Sequence, residues 1–269
     1  MNELLIHSAK ELAGDEIGNG DGFPPRTVFD IDIAFDFRSD TPPGKDPDSR
    51  SPTLRSYHRR LWSKELPGGA LFDLSETTPR AYLYHKSTLG EFILASDTVV
   101  PAFERLRRLA GVVAELQADE VSSFVSAIYT IGGMMVFPGN RIDGMMTING
   151  ARGFNRQIGD RFDLTVECIR RYYRGEGSPL FATLERYRSF FALFQSFQGY
   201  VDFFLLQDLT SPDYSAVRFF APFESFDTSP PLPATVEAYR NYQRLATQFI
   251  EARNRRILGW VAHRKSVDG

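Results

Sequence analysis

Two stretches carry polar residues of a type and spacing suited to chemistry. In "VFDIDIAFDF", residues 28–37, Asp30 and Asp32 alternate with apolar residues, and Asp36 follows on the same side. Carboxylates so paired on one strand face can hold a divalent cation against phosphate oxygens. They equally suit the wet face of an edge strand. In "FPGNRIDGMMTINGARGF", residues 137–154, glycines and polar residues interrupt short apolar runs. This stretch reads as a hairpin of "MMVF" and "MMTI", with Asn140, Arg141 and Asp143 at the loop tip and Asn149-Gly150 as the turn ending the second strand. Arg152 and Arg156 then lie on the approach to a helix N-terminus, where anions are favoured. The bland alternative is that the glycines only set turns while the arginines pair with nearby aspartates.

These residues define a candidate site for a phosphate-bearing substrate, a nucleotide or nucleic acid. Asp30, Asp32 and Asp143 are its catalytic acids, and Asn140, Arg141, Asn149, Arg152 and Arg156 its substrate-binding groups. A divalent cation is the cofactor class this set would use, with further acids sought among Asp97 and Asp160. Familiar nucleotide loops are absent. Gly139 and Gly144 have P-loop spacing, but Met145 and Met146 stand where that loop needs Lys and Ser/Thr. His7, His58, His85 and His263 are far apart, and neither a His-Glu-x-x-His nor a Gly-x-Ser-x-Gly motif occurs.

Basic and aromatic residues interleave twice. "LRSYHRRLWSK" joins Arg55, Arg59, Arg60 and Lys64 to Tyr57, His58 and Trp62, a pattern that suits nucleic-acid strands or a helix with a wet basic face. "EARNRRILGWVAHRK" gives the last helix a basic end, as helix dipoles favour, and could form a partner or oligomer contact. In "DRFDLTVECIRRYYRGE", Asp160, Asp163, Glu167, Arg170, Arg171 and Arg174 share one stripe opposite Phe162, Val166, Ile169 and Tyr173. That stripe is either a self-paired wet face or a catalytic one.

The elements that must position these groups are strands first and helices later, which predicts an α+β fold. We expect a small antiparallel or mixed sheet packed against a mostly helical C-terminal half. Residues 1–27 read as a short amphipathic helix and loop, 28–150 as the strand-rich part and 159–264 as the helix-rich part of a single domain spanning 1–269. Ser51 and Pro52 cap and open a helix. Strands are expected at "RAYLYHKS" and "EFILAS", and helices at "VPAFERLRRLAGVVAEL" and "ADEVSSFVSAI". Further helices are expected near 160–174, 179–196 and 200–208, and one from Thr235 toward Arg264.

Composition excludes whole classes of function. A net charge of −3 and a pI near 5.9 give no global field for nucleic acid or an anionic membrane. One cysteine, Cys168, excludes an internal disulfide and suits a reducing compartment. No run approaches the roughly 18 apolar residues of a spanning helix, so we expect a cytoplasmic protein without a membrane partner. With 23 Phe and 11 Tyr the core should be rich in rings.

Two resemblances add to this reading. "YLYHKS" resembles the first strand of ADP-ribosyltransferases, which implies His85 as an NAD-binding group, although a partner Tyr and Glu are not placed. Without that resemblance, His85 reads as a hydrogen-bonded, half-buried residue. "FDFRSDTPPGKDPDSRSPTLRSYHRRLWSK", "FPGNRIDGMMTINGARGF", "DRFDLTVECIRRYY", "GYVDFFLLQDL" and "FIEARNRRI" together resemble an uncharacterised bacterial family with a domain of unknown function, along nearly the whole chain. That likeness implies a bacterial, cytosolic, single-domain protein and brings no activity. Three functional readings therefore stand: an enzyme on a phosphate-bearing substrate, a non-enzymatic interaction or homo-oligomerisation protein, and an ADP-ribosyltransferase-like NAD-binding protein.

Overall fold

The computed structural model describes residues 30–76, 78, 81–101 and 109–268. The expected N-terminal helix and most of "AFERLRRL" lie outside these residues. The helices are α1 (Pro47–Arg50), α2 (Pro52–Trp62), α3 (Ala110–Val113), α4 (Ala118–Ile128), α5 (Ile148–Phe154), α6 (Phe162–Tyr173), α7 (Phe181–Arg186), α8 (Arg188–Ala192), α9 (Phe197–Phe203) and α10 (Val236–Asp268). The strands are β1 (Lys64–Glu65), β2 (Leu71–Phe72), β3 (Leu83–Ser87), β4 (Gly90–Thr98) and β5 (Met134–Pro138). β1 and β2 pair alone, while β3-β4-β5 form an antiparallel sheet in that order. The fold is α+β, as expected.

Local chemistry explains the elements that match. Ser51 Oγ accepts from Leu54 N at 3.0 Å and Pro52 needs no partner at the first helical position, so α2 starts where the sequence says. β4 alternates, with Phe92, Leu94, Ser96 and Thr98 buried and the residues between them half-buried. β5 is buried at all five positions. Arg253 of α10 donates to Gly132 O at 3.1 Å and Met134 O at 2.7 Å beside it. The core is ring-rich: Phe190, Phe194, Tyr200, Phe203 and Phe204 contact one another at centroid distances between 4.9 and 6.5 Å. Among the described residues, no helix is long and apolar enough to cross a membrane.

Two expected elements are corrected. Residues 30–37 are turns rather than a strand. Asp32 Oδ1 accepts from Ala34 N at 2.9 Å, and Asp36 Oδ1 accepts from Arg38 N at 3.0 Å, so these carboxylates bond their own backbone and bend it. The hairpin at 134–148 is also not formed. β5 pairs with β4, and Thr147 caps α5 through Gly150 N at 3.2 Å. Asn149-Gly150 is therefore helical. The only tight turn of the stretch is at Asp143 and Gly144, both at positive φ, with Met145 N bonded to Ile142 O at 3.0 Å.

Candidate functional site

The proposed acids and arginines do not gather. Asp30 and Asp32 are exposed, on a segment held by Phe37 N to Tyr129 O at 3.1 Å. Asn140, Arg141 and Asp143 are exposed on the loop after β5, where Tyr187 Oη holds Asn140 O at 2.7 Å. Tyr129 precedes β5 and Asn140 follows it, so a five-residue strand, about 16 Å long, lies between the two segments. Arg156 is exposed, and the Asn149 side chain is half-buried on α5 with no partner at Oδ1. Among the described residues, no three His, Cys, Asp or Glu side chains are grouped to hold a metal.

Arg152 is a correction to the expected substrate-binding set. It lies inside α5 rather than on the approach to a helix, and is 1% exposed. Nη1 donates to Asp97 Oδ2 at 2.8 Å and Thr98 O at 3.1 Å, and Nη2 to Asp160 O at 2.9 Å. Nε faces Asp160 Oδ1 at 3.5 Å. The guanidinium is thus spent tying α5 and the α6 approach to β4. The stripe on α6 behaves likewise. Glu167 accepts from Arg170 and Arg171 at 2.8 Å each, while buried Asp163 binds the Arg161 guanidinium and Phe220 N.

His85 is also committed to packing. It is buried between Phe72 and Phe92, with centroids 4.4 and 6.1 Å away. Nδ1 meets Asp73 O at 2.6 Å and Nε2 meets Ser87 Oγ at 2.8 Å, which leaves neither ring nitrogen for a ligand. The adjacent Ser and the apolar alternation of β3 and β4 were its only local signs.

The two basic-aromatic stretches do meet. The Lys64 ammonium lies 5.2 Å from the Trp62 centroid, 4.7 Å from Phe203 and 4.8 Å from Trp260. Trp260 in turn carries Arg264 at 5.0 Å, and Arg253 lies 5.8 Å from Trp62. Neither stretch alone announces this cluster, since nearly 200 residues separate Lys64 from Trp260 and the contact needs α9 between them.

Apolar side chains are also exposed elsewhere, along α5 and α7. Asn155 Nδ2 reaches Pro179 O at 3.5 Å, and Arg186 Nη2 reaches Met146 O at 3.0 Å. The end of α5 therefore meets the start of α7 and the reverse, so the two helices run antiparallel. Phe154 at the end of α5 is 79% exposed and Phe181 at the start of α7 is exposed, while Met145 and Met146 are exposed just before the start of α5. Phe181 continues into a groove of about 590 Å³ floored by Tyr172, Tyr173 and Phe191, with Glu185 and Arg188 on its rim.

A family model described as a family of unknown function (DUF6994) matches residues 31–257, and the chain belongs to that family. No curated protein and no solved structure matches the chain.

Proposed function

Because the family brings no activity, the residues must argue the function, and we propose that this chain is a non-enzymatic interaction protein that self-associates through the α5–α7 face. Phe154 carries this reading: a ring 79% exposed at the end of α5 that meets the start of α7, where Phe181 is also exposed, is costly to leave in water. The occupant we assign is a second copy of the chain. Glu185 and Arg188 lie three residues apart on the groove rim with N···O 3.6 Å, so the rim carries both signs. A two-fold axis through the α7–α8 junction that sets this segment antiparallel to its copy brings Arg188, at the start of α8, of each copy against Glu185 of the other, as an isologous interface requires.

The other two readings draw less support. An Arg/Asp-lined phosphate site would need Arg152 free of Asp97, and an NAD site at His85 would need an open ring nitrogen. A reducing, cytoplasmic compartment suits the proposal, since Cys168 is a free, buried thiol. Sedimentation velocity tests it. The wild-type chain should be a dimer and Phe154→Asp a folded monomer; a wild-type chain that stays monomeric at every concentration would end the reading.

A further inference from the structure

Lysine on a protein surface normally lays its stem on apolar neighbours and keeps its ammonium in water. Lys64 does not. It is 9% exposed, its amine is enclosed by Trp62, Phe203 and Trp260, and among the described residues no acceptor is hydrogen-bonded to it. The charged groups facing it are mostly of its own sign. Arg264 and Arg253 approach from α10, and among the described residues Asp202 from α9 opposes them. Asp202 is already taken by Gln207 Nε2 and Tyr214 Oη, each at 2.8 Å. Arg253 spends its donors on the carbonyls of Gly132, Met134 and Phe204, whereas the Arg264 guanidinium lies on the Trp260 ring. Burial first, and then Arg264 and Arg253, push the Lys64 amine down to about 7, with Asp202 working the other way.

An amine desolvated among rings and crowded by cations has the two features that make lysine a nucleophile near neutral pH. We propose that Lys64 is a carbonyl-condensing amine whose ligand is a small aldehyde or keto acid carrying a carboxylate. The nitrogen lone pair adds to the carbonyl carbon, the amine gives up both N–H protons, and the carbonyl oxygen leaves with them as water. A C=N bond replaces the C=O bond, with no oxidant or reductant required. Arg264 receives the carboxylate. Trp260 and Arg264 are half-buried, so the α10 wall of the cage is the side from which a small molecule reaches the amine. The site is independent of the self-association face. The three ring faces favour the ammonium, so burial and the two arginines work against them.

The chain has five lysines, and the exposed Lys45 and Lys86 serve as comparators in the same molecule. Full-length protein is treated with glyoxylate and cyanoborohydride across a pH series, and modification is read at each lysine by peptide mass spectrometry. Lys64 should be modified at least roughly tenfold faster than Lys45 or Lys86 near neutral pH, with a midpoint near 7. Compared at a pH above both midpoints, where the amine is neutral with or without Arg264, Arg264→Ala should slow modification by glyoxylate but not by formaldehyde, which has no carboxylate. A Lys64 rate no faster than that of Lys45, or a midpoint in the ordinary lysine range, would overturn the amine's role. Equal slowing with both aldehydes would overturn the role given to Arg264.

Discussion

Trp62 Nε1 donates to His58 Nδ1 at 3.0 Å across one turn of α2. An indole N–H can only donate, so Nδ1 must accept, and the proton of the neutral ring sits on Nε2, where it is given to Ser96 Oγ at 2.9 Å. The pair thereby fixes the histidine tautomer and pins α2 to β4. A second proton would have to displace the Trp62 bond.

This relationship predicts acid sensitivity. Burial, and secondly Arg253, push His58 down from 6.5 to about 3. The unfolded chain therefore binds a proton that the folded one refuses between those values. The contribution to stability is complete above pH 6.5 and is lost as pH falls toward 3. Denaturant titrations at neutral pH and about pH 4.5 should differ by about 2–3 kcal/mol from this group. His58→Gln, which keeps one acceptor and one donor, should remove that part of the slope. An unchanged slope would show that other groups control the acid limb.

What could be read from the sequence was local. The Ser51-Pro52 start, the β3–β4 alternation and the α4 helix each follow from residues within a few positions of one another. Asp32 and Asp36 defeat the strand reading because their carboxylates turn back on their own backbone, a competition that hydrophobic alternation does not register. Arg152 is misplaced for the opposite reason. Its partner Asp97 is 55 residues away, and only the fold brings them together. The apolar Met145, Met146 and Phe154 suggest core by type, yet they are wet. Side-chain identity does not record that α5 and the turn before it leave these residues uncovered.

The Arg152–Asp97 pair predicts a large structural effect. Arg152→Met leaves Asp97 and Asp160 facing each other without the cation between them. Breaking a buried pair from one side costs about 3–5 kcal/mol. Converting Asp97 to Asn alongside it should recover part of the loss, because the uncompensated charge is removed. A double variant no more stable than Arg152→Met would place the cost in lost packing rather than in charge.

Gly132 reports how closely α10 is seated. A Cβ there would meet Ile250 O at 2.3 Å and Asn254 Oδ1 at 2.7 Å, and Gly132 N already donates to that same Oδ1. Ile250 O is backbone in the middle of α10 and has no room to yield. Gly132→Ala should therefore cost at least about 2–3 kcal/mol, as overpacking does. Urea titration checks it, and a loss within error would mean that α10 can lift from residues 131–133.

The self-association reading makes its sharpest prediction at Glu185 and Arg188. In an antiparallel pairing about the α7–α8 junction each copy supplies both charges, so one substitution acts twice. Glu185→Arg sets like charges against each other at both places, and so does Arg188→Glu. Exposed pairs are worth only about 0.2–1 kcal/mol each. Two of them should weaken the dimer by roughly 2- to 30-fold. The double exchange reverses both rows and restores opposite charges, so its dimer constant should return toward that of the wild type. Fluorescence-detected sedimentation resolves changes of this size. If both single variants and the double variant dimerise alike while Phe154→Asp is monomeric, the face is right and the antiparallel register is wrong. If the double variant is weaker than either single one, Glu185 and Arg188 are not opposed across the axis, and charge gives no reason to prefer a second copy as the occupant.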